Sequence, residues 1–133
     1  MKPKVLLLDD NSIVNFISRK TIEDCSFSEH ITEFTSGKRA IKYLEQLAEK
    51  QELIPDLIFL DIKMQLMDGF EFLDHFGNLH EAVRKKSRIV MLTSSLLDID
   101  RERALKYDYV VDFLNKPVTR VKLEYIKNKL IGS

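Results

Sequence analysis

Five short apolar runs rich in branched side chains set most of what this chain can become: Val5–Leu8, Ile31–Phe34, Leu57–Leu60, Ile89–Leu92 and Val110–Leu114. The first, third and fourth are continuous rather than alternating, as in strands covered on both faces of a parallel sheet. Ile31–Phe34 alternates as Ile, Thr, Glu, Phe, which places it at an edge. Between the runs lie stretches of helical length, about 12–24, 37–50, 69–80, 98–107 and 119–131. Ser12 and Thr119 suit the N-cap, Gly37 opens the second stretch and Pro55 punctuates the return from it. Strand–helix alternation repeated five times implies an α/β fold with right-handed crossovers. At 133 residues, with no repeat or linker, residues 1–133 read as one domain with no effector domain attached.

Composition removes whole classes of function. Lys+Arg and Asp+Glu both number 21, so the cation excess that a non-specific nucleic-acid binder needs is missing. No apolar run approaches the roughly 20 residues of a membrane span, and Asp9 and Asp10 follow the first run too closely for a signal peptide. The single Cys25 cannot form an internal disulfide, which fits a reducing, cytoplasmic setting. Within the helical stretches, Val14, Ile17 and Thr21 fall on one stripe and Phe16 off it. Leu123, Ile126 and Leu130 form another stripe, with Val118, Val121 and Tyr125 opposite as a candidate partner-docking face. The basic cluster Arg84, Lys85, Lys86 and Arg88 reads as a solvated loop, and His30, His75 and His80 as surface histidines without ligand spacing.

In an open parallel sheet, ligands sit beyond the carboxyl ends of the strands. The polar residues that follow the runs are Asp9 and Asp10, then Asp61, then Thr93 and Ser94, and lastly Asn115 and Lys116–Pro117. A parallel sheet sends all of them into one crevice. Two carboxylates about 4 Å apart repel by about 4 kcal/mol at an effective dielectric of 20, so such a cluster shares protons or binds a cation. With only carboxylates and carbonyls as donors, Mg²⁺ or Mn²⁺ is favoured over Zn²⁺. Lys116 and the Thr93 hydroxyl are then placed to meet an anion, and a carboxylate beside them can attack a phosphoryl group. Asp61 ends the most apolar run and is central in a 2-1-3-4-5 strand order, so it is the candidate nucleophile. Asp9 and Asp10 are the candidate metal pair.

These residues, in the motifs LLLDDN, IFLDIKM followed by MDG, VMLTSS and FLNKP, resemble the receiver domain of two-component response regulators over essentially the whole chain. The resemblance implies a flavodoxin-like sheet with helices on both faces. It implies Asp61 as phosphoacceptor, Mg²⁺ held by Asp9, Asp10, Asp61 and the backbone carbonyl of Lys63, and Thr93, Ser94 and Lys116 around the phosphoryl group. It also implies a cis bond before Pro117 and a switch in which Thr93 shifts and Phe113 turns inward. Lys63 and Ser95 fall where the family tunes dephosphorylation. Where receivers commonly carry proline, four residues beyond the phosphoacceptor, this chain has Gln65, so a less rigid loop is expected there.

The reading that follows is a phosphorelay switch. A histidine kinase or histidine phosphotransfer protein donates to Asp61, and a changed surface then engages an unidentified protein partner or a second, phosphorylated copy. No nucleic acid or membrane is engaged, and the only chemistry is the domain's own phosphorylation and dephosphorylation. Three alternatives compete. A degenerate receiver would serve as a phosphorylation-independent interaction module. A haloacid-dehalogenase-like phosphatase needs a second Asp two residues beyond the nucleophile, where Lys63 stands. A flavodoxin-like cofactor binder needs a phosphate-cradling loop where Asp9 and Asp10 stand.

Overall fold

In the computed structural model, which describes residues 2–94 and 97–131, the apolar runs form β1 (Lys4–Leu8), β2 (His30–Phe34), β3 (Leu57–Leu60), β4 (Arg88–Thr93) and β5 (Val110–Asn115). They pair in parallel in the order β2-β1-β3-β4-β5, so the alternating run is an edge strand as its pattern requires. Among the described residues six α-helices flank the sheet: α1 (Ser12–Asp24), α2 (Gly37–Gln46), α3 (Gly69–Phe76), α4 (Glu81–Lys86), α5 (Asp98–Ala104) and α6 (Arg120–Ile131).

Period-two alternation splits the central strands between two cores. Leu6, Leu8, Ile58, Leu60, Ile89 and Met91 face Ala40, Leu44, Phe72, Phe76 and Ala104 on the side of α2, α3 and α5. Val5, Leu7, Leu57, Phe59, Val90 and Leu92 face Ile22, Leu123 and Ile126 on the side of α1 and α6. β5 carries one extra residue. Ile89 pairs with Val110 and Val90 with Asp112, so Val111 is bulged. Val110 and Phe113 therefore join the first core, while Val111 and Leu114 pack against the second.

Several local expectations are corrected. Asn11, not Ser12, caps α1, its side chain accepting from the Ile13 N–H at 2.9 Å. The buried stripe of α1 is Asn15, Ser18 and Ile22, rotated from the apolar positions, and Ile17 is exposed with Ile13 and Phe16. The helix starts against the strand-end carbonyls of Asp9 and Phe34, which need a donor rather than a methyl group, so Asn15 turns inward there. Val118 is buried rather than opposite the Leu123 stripe, because it precedes α6 and its direction is not set by the helical period. Val121 and Tyr125 are exposed as read. Arg84, Lys85 and Lys86 end α4 instead of lying in a loop. There they complement the helix dipole, and Arg84 and Lys86 donate to the carbonyls of Leu79 and Gln51. Thr119 caps α6 as expected, its Oγ1 accepting from the Lys122 N–H. Among the described residues no helix is long and apolar enough to cross a membrane.

Candidate functional site

The carboxyl ends of β1, β3 and β5 bring the expected charges together. Asp9 directly follows β1 and Asp61 directly follows β3, and both are buried. Lys116, directly after β5, reaches Asp9 Oδ2 at 2.5 Å and Asp61 Oδ2 at 3.1 Å. The Lys116 N–H donates to the Thr93 carbonyl at 2.9 Å, which extends the β4–β5 ladder to the lysine itself. The Lys116–Pro117 peptide is cis. One carboxylate oxygen from each of Asp9, Asp10 and Asp61 lies within 4.8 Å of the others.

Burial and the neighbouring Asp9 charge push the Asp61 carboxyl above its usual range, against the opposing pull of Lys116. Burial alone would lower the Lys116 pKa, but its hydrogen bond to Asp9 and the Asp61 charge prevail and leave it raised. Asp61 Oδ1 is buried and has no hydrogen-bond partner among the described residues. An orphaned buried carboxylate oxygen is costly. Its carboxylate belongs to a group of hard oxygen donors, so the residues fit a small divalent cation such as Mg²⁺ or Mn²⁺.

The other expected residues lie on or just after β4, on β5 and in the loop after Asp61. Thr93 ends β4 and is fully buried, and Ser94 follows it at the surface. Phe113 is buried in the core on the side of α3 and α5. Its carbonyl accepts from the Arg101 guanidinium of α5 at 3.2 Å. Lys63 lies exposed in the loop between Asp61 and Gln65. Ser95 lies outside the described residues.

Two supports complete the site, and the sequence reading missed the first. Asn15, buried in α1, donates through Nδ2 to the carbonyls of Asp9 and Phe34, each at 3.0 Å, and so pins the end of β1 to the end of β2. Its signal was the spacing Asn15, Ser18, Ile22, which is helical but largely polar. Gly69, the first residue of α3, packs so closely under the site that a Cβ there would lie 2.6 Å from the Asp61 carbonyl oxygen. Asp68 caps that helix in a reciprocal box with Glu71. Asp10 opens onto a cleft of about 720 Å³ whose lining also includes Ser36, Lys38, Gln65 and Leu66.

A family model of the response regulator receiver domain matches residues 5–126. The chain belongs to that family. Among solved structures it is similar to a two-component response regulator from Cytophaga hutchinsonii, at 34% identity and a TM-score of 0.90, with both chains covered completely. Among curated relatives it is 27% identical over 132 residues to the probable methanogenesis regulatory protein FilR2 of Methanothrix harundinacea, covering 96% of this chain and 83% of that protein. It is 30% identical over 131 residues to a protein-glutamate methylesterase/protein-glutamine glutaminase of Thiobacillus denitrificans, covering 94% of this chain but only 33% of that longer protein. The receiver is thus the shared part, and its place is in two-component signalling. The sheet order and the flanking helices are those of the flavodoxin-like receiver fold.

Proposed function

We propose that this receiver accepts a phosphoryl group on Asp61 from a histidine kinase or histidine phosphotransfer protein and thereby switches a protein-binding face. The observation that carries this is the Asp61 carboxylate itself. One oxygen is held by Lys116, the other is buried and without a partner among the described residues, and the carboxylate as a whole clusters with Asp9 and Asp10. Asp9, Asp10, Asp61 and the Lys63 carbonyl would hold Mg²⁺ or Mn²⁺, which supplies charge neutralisation for phosphoryl oxygens when bound. The chain's own groups do the rest. The Asp61 carboxylate forms the new O–P bond as the P–N bond of the donor phosphohistidine breaks and the leaving imidazole takes a proton from solvent. The Lys116 ammonium, released in part from Asp61, pairs with the transferred group, and the Thr93 hydroxyl and Ser94 receive its remaining oxygens.

The exposed apolar side chains Ile13, Phe16 and Ile17 of α1, together with Leu66 across the cleft, offer a donor protein a surface beside the acids. Output is assigned to the face of α5, β5 and α6, where Leu97, Ile99, Val121 and Tyr125 are exposed. Thr93 and the buried Phe113 link the site to that face through β4, β5 and the Arg101 tether. Incubation with a small phosphodonor, with and without Mg²⁺, followed by intact mass measurement tests the reading. One phosphoryl adduct is expected, dependent on metal and absent in Asp61→Asn. An adduct that survives that substitution places the acceptor elsewhere. No adduct under any condition favours the phosphorylation-independent interaction module.

A further inference from the structure

Asp10 is the exposed acid of the three, and among the described residues its one hydrogen bond comes from the backbone of another element. The Gln65 N–H, in the loop between β3 and α3, donates to Asp10 Oδ2 at 3.0 Å. That loop is tightly folded around the donor. Met64 N–H bonds to the Ile62 carbonyl at 3.2 Å, Met67 N–H to the Gln65 carbonyl at 2.7 Å, and Gly69 N–H closes back onto Ile62 at 2.8 Å. The Gln65–Met67 bond spans only three residues, and at its centre Leu66 has φ 67°. A three-residue turn around a left-handed, non-glycine residue is rare and strained. The Leu66 side chain is fully exposed, so burial of that side chain does not offset the strain. The Ile62–Met64 and Gln65–Met67 turns instead flank the Met64–Gln65 peptide, whose N–H points across the cleft at Asp10.

We propose that the backbone amide of residue 65 is a positioning donor for the acid cluster. It occupies Asp10 Oδ2 and leaves the second oxygen to the cation shared with Asp9 and Asp61. The inference rests on the reading of those acids as a cation site. Gln65 is decisive only in not being proline, since a proline nitrogen carries no hydrogen. Without this bond, an exposed carboxylate must be ordered by the metal itself, and that ordering lowers affinity. The expected less rigid loop is, in this arrangement, a loop that gains a polar link a proline could not make.

The test is Mn²⁺ binding to the unphosphorylated protein, followed by electron paramagnetic resonance of the free ion. Gln65→Ala keeps the amide and should bind as the parent does. Gln65→Pro deletes it and should bind roughly fivefold more weakly, the scale of one charge-assisted hydrogen bond at an exposed acid. Equal affinities for the parent, Gln65→Ala and a folded Gln65→Pro would overturn the positioning role and leave the cation site intact. Absence of Mn²⁺ binding by the parent would instead remove the cation site and this inference together. Amide exchange supplies a measurement that does not depend on proline folding. The residue-65 amide should be protected in the parent and lose that protection in Asp10→Ala. An amide that exchanges freely in the parent would refute the bond itself.

Discussion

Gly37 and Gly69 form a matched pair in which the same substitution has different consequences. Each is the first residue of a helix, each follows a side-chain cap, and neither has positive φ. Replacing either with alanine therefore changes helix propensity by the same small amount, which cancels in the comparison. A Cβ at Gly37 would meet the Met67 Sδ at 2.8 Å, the far end of a flexible side chain that can rotate away. A Cβ at Gly69 would meet the Asp61 carbonyl oxygen at 2.6 Å and the Ile62 Cα at 2.8 Å. That oxygen is about 0.8 Å inside the 3.4 Å of ordinary contact, and it belongs to backbone that cannot turn aside. Overpacking of this kind costs about 1–3 kcal/mol. With about 2.1 cal/mol/K of unfolding entropy per residue, each kcal/mol moves the thermal midpoint of a 133-residue chain by roughly 3–4 °C. Gly69→Ala should therefore melt about 4–10 °C below Gly37→Ala by circular dichroism, as overpacking and the entropy scale together require. The displaced peptide is that of Asp61, so phosphoryl acceptance by Gly69→Ala should also slow at temperatures where the protein is fully folded. Equal midpoints for the two variants would refute the contact as the reason position 69 excludes a side chain.

Three further outcomes are expected. Lys116→Met leaves the buried Asp9 and Asp61 without their cation. For a lysine 21% exposed, the cost should be about 2–3 kcal/mol in metal-free buffer at pH 7, below the 3–5 kcal/mol of a fully buried pair. In that variant the Asp61 carboxyl, raised by burial and by the Asp9 charge, loses the opposing pull of Lys116 and stays above its unfolded pKa. Its contribution is greatest at low pH and is lost as pH rises through the raised value, so Lys116→Met should gain on the parent as pH falls from neutral toward 3.8, and a constant gap in denaturant midpoints would count against this. Asn15→Ala leaves the Asp9 carbonyl without its side-chain donor and should cost about 1–3 kcal/mol in urea unfolding, whereas a neutral effect would mean the clamp between β1 and β2 is dispensable. Although burial alone would raise it, Asp112 is held below the usual carboxylate range by Lys129, Tyr125 and the Phe113 N–H. Its contribution is therefore present above the unfolded value and disappears as pH falls through the lowered one. The stability difference between the parent and Asp112→Asn should be about 1–2 kcal/mol at pH 7 and vanish in acid below pH 3.8.

What could be read from the letters followed from one geometric rule. In a parallel sheet the chemistry-bearing residues after each apolar run must emerge at the same end, so Asp9, Asp61 and Lys116 could be placed together without coordinates. Features that depend on satisfying polar groups were hidden. Asn15 is buried because the strand-end carbonyls of Asp9 and Phe34 require a donor, and a search for apolar stripes rotates the helix away from it. α4 covers only Glu81–Lys86, too short for its period to show against the basic cluster that ends it. The Asp68–Glu71 capping box was visible in the sequence as Asp-Gly-Phe-Glu, within and just beyond the MDG motif, but the motif was read only for its resemblance. Nothing in Val-Val-Asp-Phe-Leu-Asn distinguishes a bulged strand from a regular one.

That bulge settles where the lysine's charge ends up. In an uninterrupted strand, residues 110 and 116 would have the same parity, and the ammonium would project beside Val110 toward α3, on the reverse side of the sheet from Asp9 and Asp61. The doubled step at Val111 and Asp112 inverts the count, so Lys116 comes out in phase with Leu114 and with its two acids. A chain lacking Val111 should alternate without interruption and keep both ion pairs, because the extra residue and the inversion that absorbs it disappear together. The odd residue in an ordinary-looking apolar run is therefore matched, one for one, to the electrostatics at the strand's far end.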